Sequence, residues 1–134
     1  MNRLAVLLGL IAVGALVLVA YRVYRSRWTP APERILVDDL GLELMAGCCA
    51  FVVFTTPSCR PCKAALAVVE RAAGNAQGPT EIRTVDATQR PEIAIRYSVR
   101  TIPTVFLITA SGHVVERWRD VPDPAEVEAA LAAM

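Results

Sequence analysis

An uninterrupted apolar run from Leu4 to Tyr21 constrains this chain more than any other feature. All 18 of its residues are uncharged, and all but Gly9 and Gly14 carry apolar side chains. A helix of that length covers about 27 Å, close to the roughly 30 Å of a bilayer core. It is apolar on every face, so it does not suit a helix with one side in water. Val23 and Tyr24 can extend it while Arg22 snorkels toward the headgroups. Tyr21, Tyr24 and Trp28 suit an interfacial aromatic belt. The expectation is a membrane anchor over residues 1–28 with a basic juxtamembrane segment.

A cleaved secretory signal is the competing reading. The run exceeds the usual apolar stretch of about 7–15 residues, and no clear A-x-A cleavage site follows it. Arg3 alone precedes it, whereas Arg22, Arg25 and Arg27 follow it. By the positive-inside rule this asymmetry directs the remainder of a single-pass chain to the cytoplasm. The alternative locations are an extracytoplasmic domain, or a secreted one after signal cleavage.

Residues 29–134 hold ten basic and thirteen acidic side chains, a net charge of −3. That balance offers no electrostatic basis for nucleic-acid binding. The whole chain is 54% hydrophobic, which excludes wholesale disorder. Its 134 residues leave room for one compact domain beside the anchor.

Thr29-Pro30-Ala31-Pro32 begins a stiff linker, residues 29–33, because two prolines at this spacing oppose a helix. The domain, 34–134, reads as alternating strands and helices. Arg34 to Val37 is a short, edge-type strand. Asp38 or Asp39 caps a short helix through Met45, ended by Gly47. Ala50 to Thr55 is a continuous apolar run suited to a strand buried on both faces. Pro61 to Ala73 follows as a helix with Leu66, Val69 and Ala73 on one stripe. Thr80 to Val85 alternates as a strand, and Pro91 to Tyr97 is a short helix. Thr104 to Ile108 is a second buried strand. The turn Ala110-Ser111-Gly112 joins it to a strand from His113 to Trp118. Asp123 and Pro124 open a last helix ending at Ala133. Helical crossovers imply parallel strands first, and the final tight turn implies an antiparallel pair. The fold class is α/β: a mixed central sheet flanked by helices.

The chemistry concentrates where the buried strand passes into a helix, at Ser58-Cys59-Arg60-Pro61-Cys62-Lys63. Cys59 falls at the helix N-terminus, whose unpaired N–H groups and dipole favour a thiolate. Arg60 and Lys63 add positive charge. Two intervening residues bring the second sulfur within bonding distance of the first. Pro61 is tolerated because its missing N–H would be unpaired there. Two other readings stay open at this point. One is half of a zinc site completed by Cys48 and Cys49 or by His113. The other is a purely structural Cys59–Cys62 disulfide. Cys48 and Cys49 read as small hydrophobic residues at a strand edge, with no assigned role, and His113 as a solvated side chain. Thr101-Ile102-Pro103-Thr104 is the second signal. A proline entering a buried strand belongs at its first residue or in a special turn. A cis Ile102–Pro103 bond satisfies this and leaves nearby backbone free to pair with an extended peptide.

These residues reach a known family. Cys59-Arg60-Pro61-Cys62-Lys63, Tyr97, Thr101-Ile102-Pro103-Thr104 and Gly112, in this order and spacing, resemble the thioredoxins over residues 34–134. The resemblance implies a thioredoxin-like fold and thiol–disulfide oxidoreductase activity on protein disulfides. It implies that Cys59 attacks and Cys62 resolves, within a motif that includes Arg60, Pro61 and Lys63. It further implies that Pro103 is cis and that Ser58, Ile102 and Pro103 line the substrate groove. The redox-active pair would need no metal or organic cofactor, and the electron donor is not identified. The chain departs from the family at four places. Ser58 replaces a tryptophan, Arg60 a glycine, Val53 a buried acid, and Arg119-Asp120-Val121 a segment that often holds a glycine. A non-catalytic adaptor of the same fold, bound to a membrane partner, is the alternative. A metal-handling module using Cys48, Cys49, Cys59 and Cys62 is a third reading.

Overall fold

The computed structural model describes residues 3–27 and 32–134. Trp28 and the linker up to Ala31 lie outside the described residues, as do the side chains of Tyr24, Arg25 and Arg27. The chain divides into two compact units after Pro30.

The first unit is one helix, α1 (Arg3–Arg27). Its segment from Arg3 to Val23 is long and apolar enough to cross a membrane, and its side chains are exposed.

The second unit is a four-stranded sheet between two helical layers. Its strands are β1 (Cys49–Thr55), β2 (Thr80–Asp86), β3 (Thr104–Thr109) and β4 (Val114–Trp118), in the order β2-β1-β3-β4. Between them come α2 (Pro61–Asn75) and α3 (Pro91–Arg96), and α4 (Pro124–Ala132) follows β4. β1 is central and apolar because both of its faces are covered. Its alternate side chains enter two different cores. Ala50, Val52 and Phe54 join Phe106 and Ile108 of β3 with Ile93, Ala94 and Tyr97 from the α3 side. Phe54 and Phe106 meet edge to face, with ring centroids 5.7 Å apart. On the other face, Phe51 and Val53 join Val105 and Leu107 under Ala65, Val69 and Ala72 of α2 and Val127 of α4.

The mixed sheet and the flanking helices match the expected class, with four local corrections. β1 pairs with β2 in parallel, but with β3 antiparallel. The connection from β2, residues 87–103, packs as α3 and its flanking turns against one face of the sheet and delivers the chain to the end where β2 stops, so β3 starts there.

The expected strand at 34–37 reduces to one bridge, Arg34 with His113. Ile35 N donates to Gly112 O at 2.8 Å. Gly112 has φ +83°, and a Cβ there would lie 2.0 Å from Ile35 O, so this approach requires glycine.

The helix expected from Asp38 or Asp39 to Met45 is a single 3₁₀ turn, Val37–Leu40. Gly41 ends it in the left-handed region at φ +60°, and Leu40 and Leu42 turn into the core. Asp39 does not cap it, since its carboxylate is drawn to Tyr97 and Arg96 instead.

The buried stripe of α2 is Cys62, Ala65, Val69 and Ala72, so Leu66 and Ala73 sit at its margin. The last helix matches its expected start: Asp123 Oδ1 accepts from Ala125 N at 2.8 Å, with Pro124 beside it.

Candidate redox site

The site grows from the junction of β1 and α2. β1 ends at Thr55, the chain turns through Thr56 to Arg60, and Cys59 N donates to Thr56 O at 3.2 Å. α2 has no side-chain oxygen capping its first turn. Instead Cys62 N donates to Cys59 Sγ at 3.2 Å, so a sulfur takes the place of the capping oxygen. Pro61, at the first helical position, gives up no bond.

Cys59 and Cys62 are joined by a disulfide, with their Cα atoms 5.4 Å apart. Their exposure differs. Cys59 is half-buried, whereas Cys62 is 4% exposed. Ser58, Arg60 and Lys63 are exposed around them.

The sheet register brings the second signal to the same end. Thr104 pairs with Phe54, so Pro103 precedes β3 beside the exit of β1. The Ile102–Pro103 peptide bond is cis. Pro103 is buried, and Ile102 packs against the α3-side core. Thr104 Oγ1 donates to Thr101 O at 2.6 Å, and Thr101 Oγ1 donates to Arg119 O at 3.2 Å. These two bonds, which join the turn to itself and to the end of β4, carried no sequence signal beyond the threonines of T-I-P-T.

Val53 is fully buried in the core beneath α2. Among the described residues the one buried polar or charged side chain is Thr104. The interior next to α2 therefore holds no carboxylate.

The remaining cysteines lie elsewhere. Cys48 and Cys49 stand at the start of β1, the far end of the strand from Cys59, about 23 Å away along an extended chain. One ion cannot be shared across that distance, which removes the four-cysteine metal reading. His113, bridged to Arg34, is exposed at the hairpin between β3 and β4. Cys48 and Cys49 line a cavity of about 820 Å³ between the ends of α2 and α4. Cys49 Sγ lies 3.3 Å from Thr80 Oγ1.

One polar cluster escaped the sequence reading. Tyr97 OH donates to Asp39 Oδ2 and accepts from Leu36 N at 3.0 Å, and Arg96 Nη1 meets the same carboxylate oxygen at 2.6 Å. The hydrogen bond from Tyr97, then Arg96, holds the Asp39 carboxyl below the ordinary range. Burial, followed by the bond to Asp39, pushes the Tyr97 phenol up. The cluster fastens the 3₁₀ turn to α3, six residues before Pro103.

The thioredoxin family model matches residues 45–133. The chain is 36% identical over 61 residues to the SPbeta prophage-derived thioredoxin-like protein YosR of Bacillus subtilis, covering 46% of this chain and 69% of that protein. It is 33% identical over 84 residues to a thioredoxin of Staphylococcus epidermidis, covering 63% of this chain and 79% of that one. Among solved structures it is similar to mitochondrial thioredoxin 3 of Saccharomyces cerevisiae in its oxidised form. That likeness has a TM-score of 0.59 at 17% identity, over 73% of this chain and 89% of that one. A Fasciola hepatica thioredoxin gives a TM-score of 0.56 at 24% identity, covering 72% and 86% respectively.

Proposed function

Because this chain belongs to the thioredoxin family, we propose that it is a membrane-tethered thiol–disulfide oxidoreductase acting on protein disulfides. Cys59 is the attacking sulfur and Cys62 the resolving one. The observation that carries this reading is the asymmetry of the pair: a half-exposed Cys59 at the start of α2, bonded to a buried Cys62. The N–H of Cys62, the helix N-terminus and the neighbouring Arg60 and Lys63 all favour negative charge on Cys59.

In the reducing direction, Cys59 thiolate attacks one sulfur of a partner disulfide, and the partner's other sulfur leaves as a thiolate and takes a proton. Cys62 thiolate then attacks Cys59, which releases the partner's second thiol and closes the Cys59–Cys62 bond. Two electrons pass to the partner, with no metal or organic cofactor involved. Ser58, Ile102 and Pro103 form the groove along which the partner's chain lies. α1 is the tether, and the arginines after it direct the domain to the cytoplasm, where net reduction is the natural direction.

Trapping in cells tests the whole reading. Cys62→Ser should accumulate mixed disulfides that dithiothreitol releases, in a membrane fraction that resists carbonate extraction. Protease added outside intact cells should leave the domain uncut. Absence of any mixed disulfide, with no reduction of insulin by the wild-type chain, would favour the adaptor reading, which the buried Val53 supports.

A further inference from the structure

Four cations stand on segments at the end of the sheet that carries the cysteines. Arg60 lies between them and Lys63 directly after them, both exposed. Arg100, also exposed, stands three residues before Pro103. Arg119 follows the last residue of β4, and the bond from Thr101 Oγ1 to its carbonyl fastens that segment beside the Ile102–Pro103 turn.

Three acids share this end, charged but each held by bonds within its own segment. Asp86 accepts from N and Oγ1 of Thr88 at 2.8 and 2.6 Å. Asp123 caps α4, and Asp120 accepts from Val121 N at 2.8 Å. This cationic end belongs to a domain with more acids than bases, ten basic against thirteen acidic residues after Trp28. Its charge is therefore a matter of placement, not of composition. Ser58, beside the attacking sulfur, is small, polar and exposed, so this flank of the site offers no large apolar contact.

We propose that the site selects protein disulfides flanked by acidic residues, which Arg60, Lys63, Arg100 and Arg119 draw toward Cys59. This deepens the oxidoreductase reading and rests on it. Complementary charge acts mainly on encounter and on the rejection of wrong partners. A disulfide within an acidic segment arrives faster and dwells beside the nucleophile, whereas a lysine-rich segment is repelled. The chemical step is unchanged: two electrons move from the Cys59–Cys62 dithiol to the partner's disulfide.

Three synthetic peptides test this, each with the same disulfide loop, flanked by glutamates, serines or lysines. The full chain in neutral detergent is reduced, freed of reductant and mixed with each peptide. Each rate is divided by that peptide's own rate with dithiothreitol, which removes the effect of the flanks on the disulfide itself. At low salt the glutamate peptide should react about tenfold faster than the lysine peptide. At about 0.5 M salt the ratio should fall toward one. Arg100→Glu combined with Arg119→Glu should bring the low-salt ratio below one. Equal rates for the three peptides in the wild-type chain, or a preference for lysine, would overturn the proposal and leave the oxidoreductase reading standing. Reduction of none of them would overturn both.

Discussion

Strand β1 has a pair of cysteines at each end, and the two ends are built differently. At its start, Cys48 and Cys49 are adjacent. Cys48 N donates to Met45 O at 3.0 Å, and Cys49 is buried against Thr80. Both are free cysteines, and both line the cavity between the ends of α2 and α4. Beyond its other end, Cys59 and Cys62 are separated by two residues and a helix begins. That spacing joins the sulfurs, and the helix supplies the N–H that meets Cys59 Sγ. The same residue type is thus free at one end and joined as a disulfide at the other. Spacing and the helix N-terminus make the difference.

The sharpest way to break this comparison is by substitution of the cysteines. Cys59→Ser should reduce insulin-disulfide reduction to background, while Cys48→Ser should leave it unchanged. With the protein reduced, iodoacetamide should label Cys59 first, and Cys49 only after unfolding. Retained activity in Cys59→Ser, or equal labelling of the two pairs, would remove the distinction.

A glycine at the far end tests stability apart from chemistry. Gly112→Ala places a Cβ against Ile35 O in a left-handed backbone, so either the hairpin or the N-terminal segment must move. Unfolding in denaturant should show a loss of about 2–4 kcal/mol. The rate at which the folded variant forms its mixed disulfide should not change. A wild-type midpoint would mean that the close approach of Ile35 is not maintained.

Val53 sharpens the redox end itself. In the proposed reaction Cys62 must lose a proton before it attacks, and among the described residues the interior beside α2 offers no carboxylate to take it. Decay of a preformed Cys59 mixed disulfide should be slow at neutral pH and quicken toward the free-thiol range of about 8–9. Val53→Asp should flatten that profile by roughly tenfold at pH 7, with some loss of stability from burying a carboxyl. Fast, pH-independent decay in the natural chain would assign the proton to another acceptor.

The smallest effect concerns the Asp39–Tyr97–Arg96 cluster. Asp39 binds its proton less tightly when folded than when unfolded. Its contribution is therefore present above the unfolded carboxylate value near 3.8 and is lost as pH falls through the lower folded value. Tyr97 has the opposite sign. Its raised value makes the neutral phenol part of the stability below pH 10, and that part fades as pH rises further. Asp39→Asn should flatten the acid limb of a stability–pH curve and leave the redox rate alone. An unchanged acid limb would mean that the cluster contributes nothing to folding.

The redox end was legible in the sequence because its parts are local. A buried apolar strand, a C-x-P-C pair and a helix with proline at its first position define one another within about fifteen residues. The cap at Asp123 and Pro124 is equally local, and it was found where the sequence placed it. The apolar character of Leu4 to Tyr21 required no tertiary partner to be read. Cys48 and Cys49 offered no such pattern, and the cavity they line depends on where α2 and α4 end.

Local sequence accounts for the period-2 and helical segments, the alternation of strand and helix, and the close spacing of Cys59 and Cys62. Each follows from residues near one another in the chain. Tertiary structure alone decided that β3 runs against β1, because this depends on the end of the sheet to which residues 87–103 deliver the chain. It also decided that Asp39 bonds to Tyr97 rather than capping its own turn, and that residues 33–36 reach the hairpin at Gly112 instead of forming a strand. For Asp39 that partner is 58 residues away, and for Ile35 it is Gly112, 77 residues away; each offered a hydrogen bond that outweighed the local preference. Such competition between near and distant partners is settled only once the distant partner is in place.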